Sequence, residues 1–287
     1  MSGTPPAWET ESIARGIFQI GQRFGGMPVS SESPIFVLAA GWRSGSTFVQ
    51  RLLSRDCLIW GEPYGHGWLI QSLAATVTAF ADNWPEDQFF FSGQDAATRS
   101  SSFIANLYPS VTHFYQAHLR FFETLLGAPA RLAGADRWGL KEVRLTADHA
   151  AYLKWLFPKA KLVFLYRNPY DAFRSWAARR DAGWTWFNRW PDRPLTAREF
   201  GRQWMEGVSS FVKYHTSLDA FLIRYESLSE SRYDEMERYL DIRLDREAAT
   251  IRPYDGPAPV AQIAGPDLEA LRTMVEPLAG ELGYQYP

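Results

Sequence analysis

The sequence predicts an α/β fold, a three-layer domain with a central parallel sheet and a helical insertion. Two apolar runs, Ile35–Ala40 and Ala160–Arg167 ("AKLVFLYR"), lack polar–apolar alternation and suit strands buried on both faces. Each is followed directly by a turn and the start of a helix. Strands and helices therefore alternate along the chain, which calls for parallel pairing with right-handed crossovers.

Taken in order, residues 1–33 read as a tail, a short helix ("SIARGIFQIGQRF") and a Gly/Pro/Ser linker. The first strand, Ile35–Ala40, leads to a helix from about Ser46. "CLIWGEP" (Cys57–Pro63) is a second short strand that stops at Gly61–Pro63. From about 68 to 136 the chain is helical and aromatic without a clean strand, so it is assigned to an insertion or cap on the acceptor side. Trp138–Lys141 in "RWGLKEVRL" is a strand end, and "HAAYLKWLF" is a helix stopped by Pro158. After Arg167, Asn168 is placed to cap a helix that has Pro169 at its first position. A Trp-rich loop ("GWTWFNRWPDRP") and a long helix follow, then the strand "AFLIRYESL" and the helix "YDEMERYLDI". A loop over Ile251–Gly265 and a final helix from Pro266 complete a single domain spanning 1–287.

Composition narrows the function classes. Lys+Arg 30 against Asp+Glu 32 leaves a net charge of −2, which advertises no nucleic-acid partner. Cys57 is the only cysteine, so neither an intramolecular disulfide nor a CxxC metal site can form, and the five histidines include no HExxH. No apolar run has the length of a membrane span, and "MSGTPPAWETES" lacks the pattern of a secretory leader. A cytoplasmic protein is expected.

Two stretches carry chemistry. In "AAGWRSGSTFVQRLL", Gly41 and Gly45 allow a sharp turn and close approach to the main chain. Amides from Ser44 to Thr47 then converge at a helix start, the hydroxyls of Ser46 and Thr47 add donors, and Arg43 adds a planar cation suited to phosphate or sulfate. The layout is that of a P-loop-like turn without the lysine of G-x-x-x-x-G-K-[ST]. In "LVFLYRNPYDAFRSW", Arg167 stands at a strand end and Ser175 lies eight residues on, about two helical turns into the next helix. Open α/β sheets bind ligands at such strand ends. The structural alternatives are an ordinary capped turn for the first stretch, and an Arg167–Asp171 ion pair for the second.

Together these stretches resemble the PAPS-dependent sulfotransferases, PAPS being 3'-phosphoadenosine 5'-phosphosulfate. "RSGSTFVQRLL" is similar to the family's 5'-phosphosulfate loop, "LFPKAKLVFLYRNPYDAFRSW" to its 3'-phosphate motif, and "LIRYESL" to a later strand end. The Arg form of the loop and the following "WGEP" resemble the carbohydrate, tyrosylprotein and bacterial branch. The resemblance implies that Arg43 and Ser44, Gly45, Ser46 and Thr47 hold the 5'-phosphosulfate, and that Arg167 and Ser175 hold the 3'-phosphate. It places Phe48 near the adenine and Tyr225 at the cofactor site. It further implies that Glu62 is the general base, with His66 in reserve, that Arg43 and Lys141 are cations for the leaving phosphate, and that no metal takes part. Lys141 has an alternative as the ion-pair partner of Glu142. The acceptor is a hydroxyl of a carbohydrate, a small-molecule alcohol or a phenol, with the Trp/Phe-rich segments Trp68–Phe122 and Trp184–Trp190 as candidate pocket walls. An NTP-dependent phosphotransferase and a non-catalytic nucleotide-binding protein are the competing readings. The missing lysine and the lack of an acidic metal-binding strand weigh against the first.

Overall fold

A computed structural model describes residues 12–64, 68–82, 84–91, 107–181, 193–250 and 263–287. The strands are β1 Ile35–Ala39, β2 Cys57–Trp60, β3 Arg137–Glu142, β4 Lys161–Tyr166 and β5 Ala220–Arg224. They form one sheet in the order β2-β3-β1-β4-β5, and every pairing is parallel. β1 is the middle strand, with Ile35 opposite Gly139 on one side and opposite Lys161 on the other. All five residues of β1 are buried, which is why its sequence is apolar without alternation. The strand order reverses beside β1, so the crevice that forms at such a reversal lies over its carboxyl end.

The helices are α1 Ser12–Arg23, α2 Ser46–Leu52, α3 Leu69–Ala75, α4 Val111–Phe122, α5 Ala128–Leu132, α6 Ala147–Leu156, α7 Pro169–Asp181, α8 Ala197–Tyr214, α9 Glu230–Leu240 and α10 Gly265–Glu281. Two apolar clusters lie on opposite faces of the sheet and make it the middle of three layers. Val37, Ala39, Val163 and Leu165 pack with Val49 and Leu52 of α2 and with Met236 and Leu240 of α9. Phe36, Leu38, Leu162 and Phe164 pack with helices on the other face, where Phe164 stacks on Phe211 of α8 at 4.4 Å. Truncating a phenylalanine buried in this way costs about 3–5 kcal/mol.

The insertion between β2 and β3 is helical, as expected, within its described residues. α4 runs through a π-helical turn, Glu123–Gly127, into α5. Trp60 at the end of β2 donates its indole N–H to the Leu126 carbonyl in that turn, at 3.1 Å, and so joins the insertion to the sheet edge. The N-terminal helix is capped from a distance, since Asp148 of α6 accepts from the amides of Ile13 and Ala14. Such tertiary capping leaves no local signature around α1. The Trp-rich loop "GWTWFNRW" and most of the loop over Ile251–Gly265 lie outside the described residues.

Two buried histidines make stability depend on pH. His149 Nδ1 accepts from the Thr146 amide at the start of α6, and His118 Nδ1 lies 2.6 Å from the Tyr152 hydroxyl. Burial lowers both pKa values from 6.5 to about 4. The unfolded chain takes up these protons near pH 6.5 while the folded chain refuses them until about pH 4, so their contribution to stability is lost as pH falls through that window. The melting temperature should therefore drop between pH 6.5 and 4. A His118→Gln/His149→Asn double variant should lose part of that dependence in a calorimetric pH series. An identical slope in both proteins would overturn the assignment.

Candidate active site

The five strands each deliver one candidate residue or loop at the carboxyl edge: the Gly41–Thr47 turn after β1, Glu62 after β2, Lys141 near the end of β3, Arg167 after β4 and Tyr225 after β5. β1 ends with the Ala40 amide bonded to the Leu165 carbonyl, and the chain then turns at Gly41, whose amide reaches the carbonyls of Ala39 and Val143. Gly41, Arg43 and Gly45 all have positive φ, at 80°, 63° and 93°. Alternating left-handed residues of this kind fold a turn into a concavity lined by N–H groups. Gly45 caps α2 without a side-chain bond. A Cβ placed there would sit 2.3 Å from the Tyr225 ring, so glycine is required by contact as well as by φ.

Among the described residues, the amides of Ser44, Gly45, Ser46 and Thr47 meet no hydrogen-bond acceptor, and the first bonded amide is that of Phe48, to the Gly45 carbonyl. Ser44 is buried and spends its hydroxyl on the Gly41 carbonyl at 3.0 Å, so it can offer a ligand only its amide. Thr47 is exposed. The Phe48 ring meets Tyr225 edge-on at 6.1 Å.

The two stretches singled out in the sequence meet through Arg43. Its Nε donates to Ser175 Oγ at 3.0 Å, and its carbonyl accepts from Arg167 Nη1 at 3.2 Å. Ser175 thus faces Arg43. Arg167 lies with its guanidinium 4.7 Å from the centre of the Tyr225 ring, and its carbonyl accepts from the Trp204 indole at 2.8 Å. Its buried Nε has no hydrogen-bond partner. Asp171, the alternative partner considered for Arg167, pairs with Arg174, and Asn168 caps α7 as expected through the Tyr170 amide. Sequence spacing set Ser175 toward a group reached by Arg167 and gave no sign of its link to Arg43.

On the other flank, Lys141 Nζ reaches Glu62 Oε1 at 2.5 Å, with side chains only 8% and 16% exposed. Gln50 of α2 donates to the Ile59 carbonyl at 2.7 Å and ties the helix behind the loop to the strand that carries Glu62. The alternative pairing of Lys141 with Glu142 is not found. Successive strand residues point to opposite faces, and Glu142 instead binds Arg144 with both oxygens at 2.9 Å while accepting the Val143 amide. Burial pushes the Glu142 carboxyl up; its bonds to Arg144 pull it back, and the nearby charge of Glu62 adds to the rise. The two ion pairs therefore sense each other across β3, a coupling that neither motif announced. His66 lies outside the described residues, as does the Trp184–Trp190 stretch. Among the described residues, no group of three or more His, Cys, Asp or Glu is placed to hold a metal ion, and no helix is long and apolar enough to cross a membrane.

The family model described as "Sulfotransferase family" matches residues 34–243, from the start of β1 through α9. The chain belongs to the sulfotransferase family, enzymes that move a sulfuryl group from a donor to an acceptor. A search of curated proteins gives no match. Among solved structures, a sulfotransferase from Alicyclobacillus acidocaldarius is similar at 15% identity over 88% of this chain and 96% of that one, with a TM-score of 0.44. The sulfotransferase domain of the Synechococcus PCC 7002 olefin synthase shares 14% identity over 91% and 87%, with a TM-score of 0.41. A mouse sulfotransferase complexed with PAP shares 10% over 95% and 83%, with a TM-score of 0.36.

Proposed function

We propose that this enzyme transfers the sulfuryl group of PAPS to a hydroxyl of a carbohydrate or small-molecule acceptor, with Glu62 as the general base. The observation that carries the reading is the junction at Arg167. A guanidinium bonded to the Arg43 carbonyl of the loop keeps a buried Nε without a partner, and the same loop has four amides without an acceptor. A buried cationic donor with no acceptor is costly, and an anionic group accounts for it.

PAPS supplies an activated sulfuryl group and two phosphates. Arg43 and the amides of Ser44, Gly45, Ser46 and Thr47 are assigned to its 5'-phosphosulfate, Arg167 and Ser175 to its 3'-phosphate, and Phe48 with Tyr225 to the nucleoside side. Glu62 takes the proton as the acceptor oxygen bonds to sulfur. Arg43 and Lys141 neutralise charge on the departing phosphate. Lys141 also holds Glu62 in place, a role the observed ion pair supports.

Calorimetric titration with adenosine 3',5'-bisphosphate (PAP) tests the reading. Binding is expected, and AMP, which lacks the 3'-phosphate, should bind roughly 10- to 100-fold more weakly through loss of charge-assisted hydrogen bonds. Absence of PAP binding, or magnesium-dependent ATP turnover in its place, would overturn it.

A further inference from the structure

We propose that the cavity between α8 and the carboxyl ends of β1 and β3 is the acceptor site and that it takes a saccharide. The inference rests on the sulfotransferase reading and names the acceptor class for it. The cavity measures about 180 Å³, and Gly41 of the loop forms part of its wall. Its lining also includes Trp68, Thr146, Arg202, Gln203 and Glu206. α8 comes this close to the loop because Gly207 lets it pack on Ala40, where a Cβ would sit 2.9 Å from the Ala40 Cα.

Trp68 is the unusual member. It has φ 51°, a left-handed conformation that is an outlier for a bulky side chain, and it is 43% exposed. Strained, exposed aromatics persist where the surroundings fix them, and such strain gathers at functional positions. Here the Arg144 guanidinium lies 5.7 Å from the centre of the indole ring, and Arg144 is itself held by both oxygens of buried Glu142. The result is a braced aromatic platform at the edge of the cavity.

The rim decides the ligand class. Arg202 offers donors, Glu206 acceptors, and Gln203 and Thr146 both. Neither Arg202 nor Glu206 forms an ion pair among the described residues, so both remain available, and their charges cancel. A sugar ring presents an apolar C–H face for the indole and a rim of hydroxyls for these groups. A phenol or a lipid alcohol brings a single hydroxyl and would leave most of these donors and acceptors without a ligand partner. At about 180 Å³ the cavity is smaller than the roughly 300–1,000 Å³ of pockets for drug-sized ligands, so it holds one ring. A neighbouring cavity of about 360 Å³ shares Thr146 and Glu206 and runs along α8 past Ser209 and Lys213, with room for a further ring.

The test uses the full chain with PAPS and five acceptors: methyl glucoside, methyl galactoside, N-acetylglucosamine, maltose and 2-naphthol, with products read by mass spectrometry. At least one saccharide should be sulfated and 2-naphthol should not. Trp68→Ala should raise the saccharide KM roughly tenfold, by loss of ring stacking, with PAP affinity unchanged, and Trp68→Phe should restore most of it. Preference for 2-naphthol, sulfation of no saccharide, or an unchanged KM in Trp68→Ala overturns the acceptor assignment. Loss of PAP binding by the unsubstituted chain sinks the sulfotransferase reading itself, a separate outcome scored in the same samples.

Discussion

Glu62→Gln is expected to lower sulfuryl transfer by roughly 10²- to 10⁴-fold, the range for removing a positioned general base. PAP affinity should stay unchanged. The substitution keeps the shape of the side chain and an oxygen for Lys141 to donate to, so the ion-pair geometry at 2.5 Å becomes a hydrogen bond of similar placement. What disappears is the ability to take a proton. Transfer from radiolabelled PAPS, beside a melting curve and a PAP titration, separates chemistry from folding and binding. Undiminished turnover in a folded, PAP-binding variant would remove Glu62 from the mechanism.

Arg167→Met is expected to abolish the discrimination between PAP and AMP. The methionine retains much of the apolar stem, but the guanidinium that bonds the Arg43 carbonyl and lies over Tyr225 is gone. Charge-assisted bonds are worth about 1.5–3 kcal/mol, which corresponds to roughly a 10- to 150-fold loss of PAP affinity. AMP lacks the group in question and should bind the variant and the parent alike. Equal loss for both nucleotides would mean that Arg167 only props the loop. Equal retention would place the 3'-phosphate elsewhere.

The sheet was legible because parallel strands buried on both faces write themselves as unbroken apolar runs, as Ile35–Ala39 and Lys161–Tyr166 do. The ends of these strands were legible too, since Gly41, Arg43, Glu62 and Arg167 each interrupt or close an apolar segment. Pairings between distant segments were not. Spacing within α7 brings Ser175 toward the strand end, but only the left-handed turn at Arg43 aims that side chain at it. Lys141 has Glu142 beside it in sequence, yet the pleat sends the two apart, and its partner Glu62 lies 79 residues away. The braced Trp68 left no local signal, because its backbone conformation and its contact with Arg144 arise only once β3 and the insertion have packed.

The adjacency of Lys141 and Glu142 on β3 also protects the fold against error. Sliding β3 by one position exchanges every side chain between the faces of the sheet. A slip in one direction would set Glu142 against Glu62 in place of Lys141, so the attraction becomes a repulsion, while Arg144, next along the same segment, moves with Glu142. An apolar strand of this composition would tolerate the slip far better, since its faces differ little. The charges at the end of β3 therefore proofread its alignment, and the residues assigned to proton transfer double as the check that the edge has been assembled in the right frame.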